Sequence, residues 1–169
     1  TKDKRVVKTE DKKIVSEPVE LIPVVISLSV NRAGELKLGE IKSMEIKPNG
    51  MSDNSLVFQV VGRSMLPEFN VNDFAFVETE VKRGTLYDGD FVLVQHKDDE
   101  FADLKQVIFG LRNNEWYLAS LNKDIPIYST LRPFEDYALI GKVMSKVTKY
   151  KHPVREYGRI PMTGFPIRN

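Results

Sequence analysis

Val57-Phe58-Gln59-Val60-Val61-Gly62-Arg63-Ser64-Met65-Leu66-Pro67, followed by Val71-Asn72-Asp73-Phe74-Ala75-Phe76-Val77, is the stretch that decides how this chain folds. Its first half is rich in β-branched and aromatic residues and ends at Gly62, the pattern of a strand running into a turn. Ser64 stands just past the strand end, and Pro67 fixes the return of the chain before a second apolar run begins. A hydroxyl placed there is exposed beside backbone N–H groups, those of Ser64 and Met65, that no strand ladder uses. Such groups can receive the oxyanion formed when a carbonyl is attacked, an interaction commonly worth about 3 kcal/mol per donor. Serines are frequent in turns, so composition alone makes Ser64 a turn residue.

Outward from this point short strands recur, at Val57 to Val61, Phe74 to Glu78, Phe91 to His96, Phe101 to Phe109, Glu115 to Ala119 and Ala138 to Val147. Asp88-Gly89-Asp90 and Lys97-Asp98-Asp99-Glu100 read as turns, the second short enough to close a hairpin. Upstream, Leu21 to Val30 has the composition of an extended segment, with Pro23 restricting it to a sheet edge or a strand start. Asn31-Arg32-Ala33-Gly34-Glu35 follows as an exposed turn. The fold class is therefore mainly β. The organisation is a charged linker over 1–20, an extended segment with its turn over 21–50, the main domain over 51–150 and a tail over 151–169. The linker lacks the apolar surface to offset its ordering entropy, and the tail carries prolines 153, 161 and 166 without a period.

A hydrophobic share of 41% over 169 residues suits one buried core. With 25 basic against 24 acidic residues, no lopsided charge recruits nucleic acid or a membrane surface. The chain has no cysteine, which excludes a disulfide scaffold, a thiol nucleophile and a thiolate metal site, and fits a reducing compartment, so a cytoplasmic location is expected. Leu21 to Val30 is too short to span a bilayer and has no signal-peptide flanks. Thr1 in place of Met suggests a fragment or processed product. Two histidines, His96 and His152, support no metal site and no cofactor is expected; no motif positions an acid to orient either one, so both read as bystanders.

The Gly62-x-Ser64-Met65-x-Pro67 segment resembles the Gly-x-Ser-Met-x-Pro motif of the LexA and UmuD family of Ser/Lys autoproteases and related phage repressors. The resemblance covers about Ile22 to Val147. It implies a LexA/signal-peptidase-like, β-barrel-like fold of short, strongly bent strands. It implies that Ser64 is a nucleophile, that Met65 and Gly62 shape its turn and oxyanion site, and that Lys105, in the segment Asp99-Glu100-Phe101-Ala102-Asp103-Leu104-Lys105-Gln106-Val107, is the general base. It also implies a substrate within the chain itself, a small-residue–Gly bond upstream of the serine, and Ala33-Gly34 fits. The segment Val24 to Val30 before it could dock by strand addition. Asn72-Asp73 stands where the family has Gly-Asp, and Gln106 where a second basic residue is common.

A lysine ammonium, ordinarily with a pKa of about 10.4, cannot take a proton at neutral pH, so burial must depress it. Strand alternation puts Phe101, Asp103, Lys105 and Val107 on one face and Ala102, Leu104, Gln106 and Ile108 on the other. Asp103, on the face of Lys105, could instead hold it charged. Lys97 is the rival base, placed in a polar turn. As implied by the resemblance, the chain is the C-terminal domain of a LexA-like repressor that destroys itself on a DNA-damage or prophage-induction signal. Its partners would be a second copy in a homodimer and a RecA-type filament as co-protease, with DNA bound only through an N-terminal domain absent from this chain and no membrane contact. Alternatives are a UmuD-like polymerase accessory factor, a non-catalytic dimerisation module and, distantly, a signal peptidase-like enzyme.

Overall fold

The computed structural model describes residues 18–124 and 131–149. The expected tail over 151–169 and most of the expected linker lie outside these residues; Pro18, Val19 and Glu20 are exposed. Among the described residues eleven strands follow in order: β1 (Leu21–Val25), β2 (Leu28–Val30), β3 (Leu36–Leu38), β4 (Ile41–Ile46), β5 (Leu56–Gln59), β6 (Phe74–Glu78), β7 (Phe91–His96), β8 (Asp103–Gly110), β9 (Glu115–Ala119), β10 (Arg132–Pro133) and β11 (Tyr137–Val147). Nine of them form one sheet in the order β10-β9-β8-β7-β11-β6-β5-β1-β4, and β2 and β3 form a separate hairpin. All pairings in the large sheet are antiparallel except β1 with β5. The mainly β reading is borne out. The sheet is mixed and strongly irregular but open, ending at β10 and β4 rather than closing into a barrel.

The irregularities are local. Long β11 pairs with both β7 and β6, and its register shifts between Leu139 and Gly141 and again between Val143 and Ser145, which bends the strand that joins the two halves. Leu21 to Val30 divides into β1 inside the large sheet and β2 in the hairpin, with a break at Ile26-Ser27. Pro23 thus lies on an inner strand and not at an edge. Its missing donor is tolerated because the ladder with β5 begins only at Val24, so at Pro23 the strand has β4 alone for a neighbour. Val60 leaves β5 early because its N–H and carbonyl close the next loop, bonding to Asp73 O at 2.9 Å and Asn72 N at 2.7 Å. β8 begins at Asp103 and not Phe101 because the Ala102 N–H is given to Leu28 O of the hairpin, at 2.9 Å.

Three apolar clusters fill the interior. The first gathers Leu28, Phe58, Val60, Met65, Phe69, Ala102 and Leu104 under the loop that carries Ser64. A second lies around Val92, Val107, Leu118 and Phe134, and a third around Ile22, Val57 and Phe76. Leu104 enters the first and Val107 the second, so β8 separates two packed regions, as its alternation predicts. No helix among the described residues is long and apolar enough to cross a membrane.

Candidate active site

Ser64 sits in the loop between β5 and β6, and the core holds that loop from below. Met65 and Phe69 are almost fully buried, and each such side chain contributes roughly 1.5–3 kcal/mol of burial. Phe69 N–H donates to Met65 O at 3.0 Å, and the Phe69 ring meets Phe91 edge-on at 5.0 Å. The loop base closes through the Val60 bonds and through Asp73, whose carboxylate accepts the Asn70 N–H at 2.8 Å. Asn72 takes φ 73°, a left-handed conformation that Asn, like Gly, tolerates better than most residues, so Asn suits the position where the family has Gly. The Leu66-Pro67 bond is cis.

From above, the segment after β9 grips the nucleophile's backbone. Leu121 and Asn122 N–H groups both donate to Ser64 O, at 3.0 and 2.9 Å, and Asn122 Nδ2 donates to Arg63 O at 2.9 Å. With these carbonyls taken, the N–H groups of Ser64 and Met65 donate to no acceptor among the described residues. Ser64 itself is 6% exposed. Its Oγ donates a long hydrogen bond, 3.4 Å, to Asp103 Oδ2. Lys105, with 16% of its side chain exposed, lies 3.7 Å from the same oxygen and donates to Ser120 Oγ at 2.5 Å. No hydrogen bond joins Ser64 Oγ directly to Lys105 Nζ. The two expected partners are therefore brought to one carboxylate oxygen rather than to each other. Ser64, Met65 and Asp103 border a groove of about 650 Å³ lined also by Ser27, Phe58, Val61 and Phe101, while Lys105 and Ser120 are not among the residues that line it.

A profile of the family described as Peptidase S24-like matches residues 27–144, which takes in the hairpin, the serine loop, β8 and most of β11. The chain belongs to that family. The resemblance read from Gly62-x-Ser64-Met65-x-Pro67 is borne out, and the S24-like domain is, at the level of its family, a serine peptidase of LexA/UmuD type. Among curated proteins, none matches the chain significantly.

Within this S24-like domain, crowding in the groove pushes the Asp103 carboxyl above its ordinary pKa, and the Lys105 charge pulls against it. Asp103 nevertheless keeps 51% of its side chain open to solvent, so water moderates both effects. Lys97, the rival base, is 62% exposed and its hydrogen bond to Asp136, at 2.9 Å, holds it protonated above the usual lysine value. It takes no part in the groove. His96 is buried against Tyr137 with its Nδ1 accepting the Asp98 N–H, and His152 lies outside the described residues. Ala33 and Gly34 occupy the exposed tip of the β2–β3 hairpin, away from Ser64. Asn31 Oδ1 accepts the N–H groups of Ala33 and Glu35, both at 2.9 Å, and Gly34 takes φ 81°. Gly34 borders a different hollow, with Asn54 and Ile140. Sequence reasoning missed Ser120 and Asn122. They follow β9 in a polar stretch without a period, and only their burial, at 9% and 7% exposed, marks them.

Proposed function

We propose that this S24-like domain cleaves its own chain at Ala33-Gly34, with Ser64 as nucleophile and Lys105 as general base, and that it is the C-terminal regulatory domain of a LexA-like repressor. The observation that carries the reading is the meeting of the Ser64 hydroxyl and the largely buried Lys105 side chain at one Asp103 oxygen, beside two backbone N–H groups that have no acceptor among the described residues. In the reaction Ser64 Oγ attacks the Ala33 carbonyl, Lys105 takes the hydroxyl proton and gives it to the Gly34 nitrogen as the C–N bond breaks. Ser64 and Met65 N–H groups receive the oxyanion, and water then hydrolyses the acyl-enzyme.

The hairpin must leave its resting place for this to happen. Among the described residues two hydrogen bonds tie it to the rest of the domain, Leu28 O to Ala102 N at 2.9 Å and Val30 N to Gln95 Oε1 at 2.6 Å, and Leu28 is buried in the first cluster with Val30 and Leu38 against it. Because substrate and nucleophile share one chain, effective concentration favours the reaction once the hairpin swings in. A DNA-damage signal delivered by a RecA-type filament would act on that step, and cleavage would weaken operator binding by separating dimer from DNA-binding parts. A UmuD-like accessory factor would use the same chemistry.

Incubation between neutral pH and about pH 10, where an ordinary lysine loses its proton, tests the reading by mass spectrometry. Two fragments joined at Ala33-Gly34 are expected, faster with rising pH and abolished by Ser64→Ala and by Lys105→Ala. A second reading, a non-catalytic dimerisation module, is favoured by the turn of the Ser64 hydroxyl towards Asp103 instead of Lys105. An intact chain across that whole pH range would establish it over self-cleavage.

A further inference from the structure

Ser64 and Lys105 meet through Asp103, whose Oδ2 accepts from the hydroxyl at 3.4 Å and faces the ammonium at 3.7 Å. Its other oxygen accepts the Leu104 N–H at 2.8 Å, which fixes the carboxylate against its own strand. A hydroxyl that donates to a carboxylate points its proton away from the amine that must take it. An ammonium next to a carboxylate is held in its charged form. Both effects oppose catalysis. We propose that Asp103 is a charge latch on this site: its carboxylate holds the Ser64 hydroxyl and the Lys105 ammonium in an unreactive arrangement, and Lys105 acts as base once that charge is neutralised or turned away. The latch rests on the assignment of Ser64 and Lys105 made above.

The surroundings of Asp103 set the sign and the size of the effect. Asp99 and Glu100, in the turn between β7 and β8, line the same groove as Asp103, so the groove carries further negative charge beside it. The Tyr137 hydroxyl, at the start of β11, is pushed up mainly by burial, with the Asp103 charge as a smaller cause. The cross-strand neighbour on β7 is apolar Val94, and Arg63, one residue before Ser64, is exposed. Lys105 is thus the cation that Asp103 holds. With half of the carboxylate in water, the pair is screened, and a latch of this strength can be opened by a docking segment. In the turnover itself Asp103 neither gains nor loses a proton: the Ser64 proton passes to Lys105 and from there to the Gly34 amine.

Asp103→Asn removes the charge and keeps an oxygen for Leu104 N–H; Asp103→Ser is the second variant should the first fail to fold. The Lys105 ε-methylene is titrated by NMR in a Ser64→Ala chain, with and without the Asp103 substitution. Its midpoint is expected to fall by about half a pH unit or more, the size for a partly exposed pair. The pH–rate profile of self-cleavage moves the same way, so that Asp103→Asn cleaves about threefold faster or more at a fixed pH on the rising limb. An unmoved Lys105 midpoint overturns the latch, as does slower cleavage at every pH, which would make Asp103 a proton acceptor instead. Should no variant cleave at any pH, the proposed function fails while the NMR midpoint still decides the latch.

Discussion

Asn122 holds the nucleophile's backbone at two points, through its side chain to Arg63 O and its own N–H to Ser64 O. Removing the side chain takes from Arg63 O the shorter of its two hydrogen bonds and leaves it only the Leu66 N–H at 3.3 Å, and a lost hydrogen bond costs about 0.5–1.5 kcal/mol. Asn122→Ala is therefore expected to lower the denaturation midpoint by that order and to slow self-cleavage more than global instability explains, since the Ser64 and Met65 N–H groups lose their fixed aim. Equilibrium urea unfolding compared with cleavage rates well below the transition checks this; a variant equally stable and equally active would remove Asn122 from the site. At this scale the sequence was uneven. Ser64, Met65 and Pro67 stand in a compact motif, and a motif is legible because its residues are neighbours in the chain. Asn122 and Ser120 reach the same spot from a distant loop, and nothing local in Leu118-Ala119-Ser120-Leu121-Asn122 announces the contact.

Elements differ in legibility for a related reason. Strands β6, β7 and β9 begin and end where alternation and turn residues place them, because each packs at least one face against a cluster and so carries a pattern. β4 went unread. It is the outer edge of the sheet, its side chains are mostly exposed, and Ile41-Lys42-Ser43-Met44-Glu45-Ile46 has no buried face to impose a period. The β2–β3 hairpin is bounded by a close approach that sequence cannot reveal. A Cβ at Gly39 would lie 2.7 Å from Ser27 O, nearer than real side chains come to backbone. Gly39→Ala is expected to part the hairpin base, lose the Gly39 N to Ser27 O bond and loosen the tie of Leu28 to Ala102. Faster amide exchange confined to residues 27–39 is the readout, with self-cleavage accelerated if undocking of the hairpin limits the rate. Unchanged exchange there would show that the base yields without opening.

Over the whole molecule, two carboxylates pull the pH dependence of stability in opposite directions. Burial raises the pKa of Glu78, but hydrogen bonds from Ser52, Glu80 and Ser55 outweigh it and leave the group below its ordinary value. Those bonds pin the end of β6 to the loop before β5, with Ser52 N at 2.8 Å and Ser52 Oγ at 2.6 Å. A lowered folded pKa means stability present above the unfolded carboxylate value and lost as pH falls through the folded one, so Glu78→Gln should flatten the acid limb of the thermal midpoint. Asp103 has the reverse sign. Its folded pKa is raised, mainly by crowding, so the carboxylate adds stability only when protonated and that contribution is lost as pH rises through the folded value. Asp103→Asn is then expected to raise the midpoint at neutral pH by about 1–3 °C, the scale for less than about 1 kcal/mol at a half-exposed group, and to lose that gain below the unfolded carboxylate range. Thermal scans of the Ser64→Ala chain across pH, with each substitution, separate the two. A gain from Asp103→Asn that persists in acid would place its origin in packing rather than charge. A gain confined to neutral pH means that the carboxylate between nucleophile and lysine is kept at the expense of the fold, as a residue retained for control of the chemistry would be.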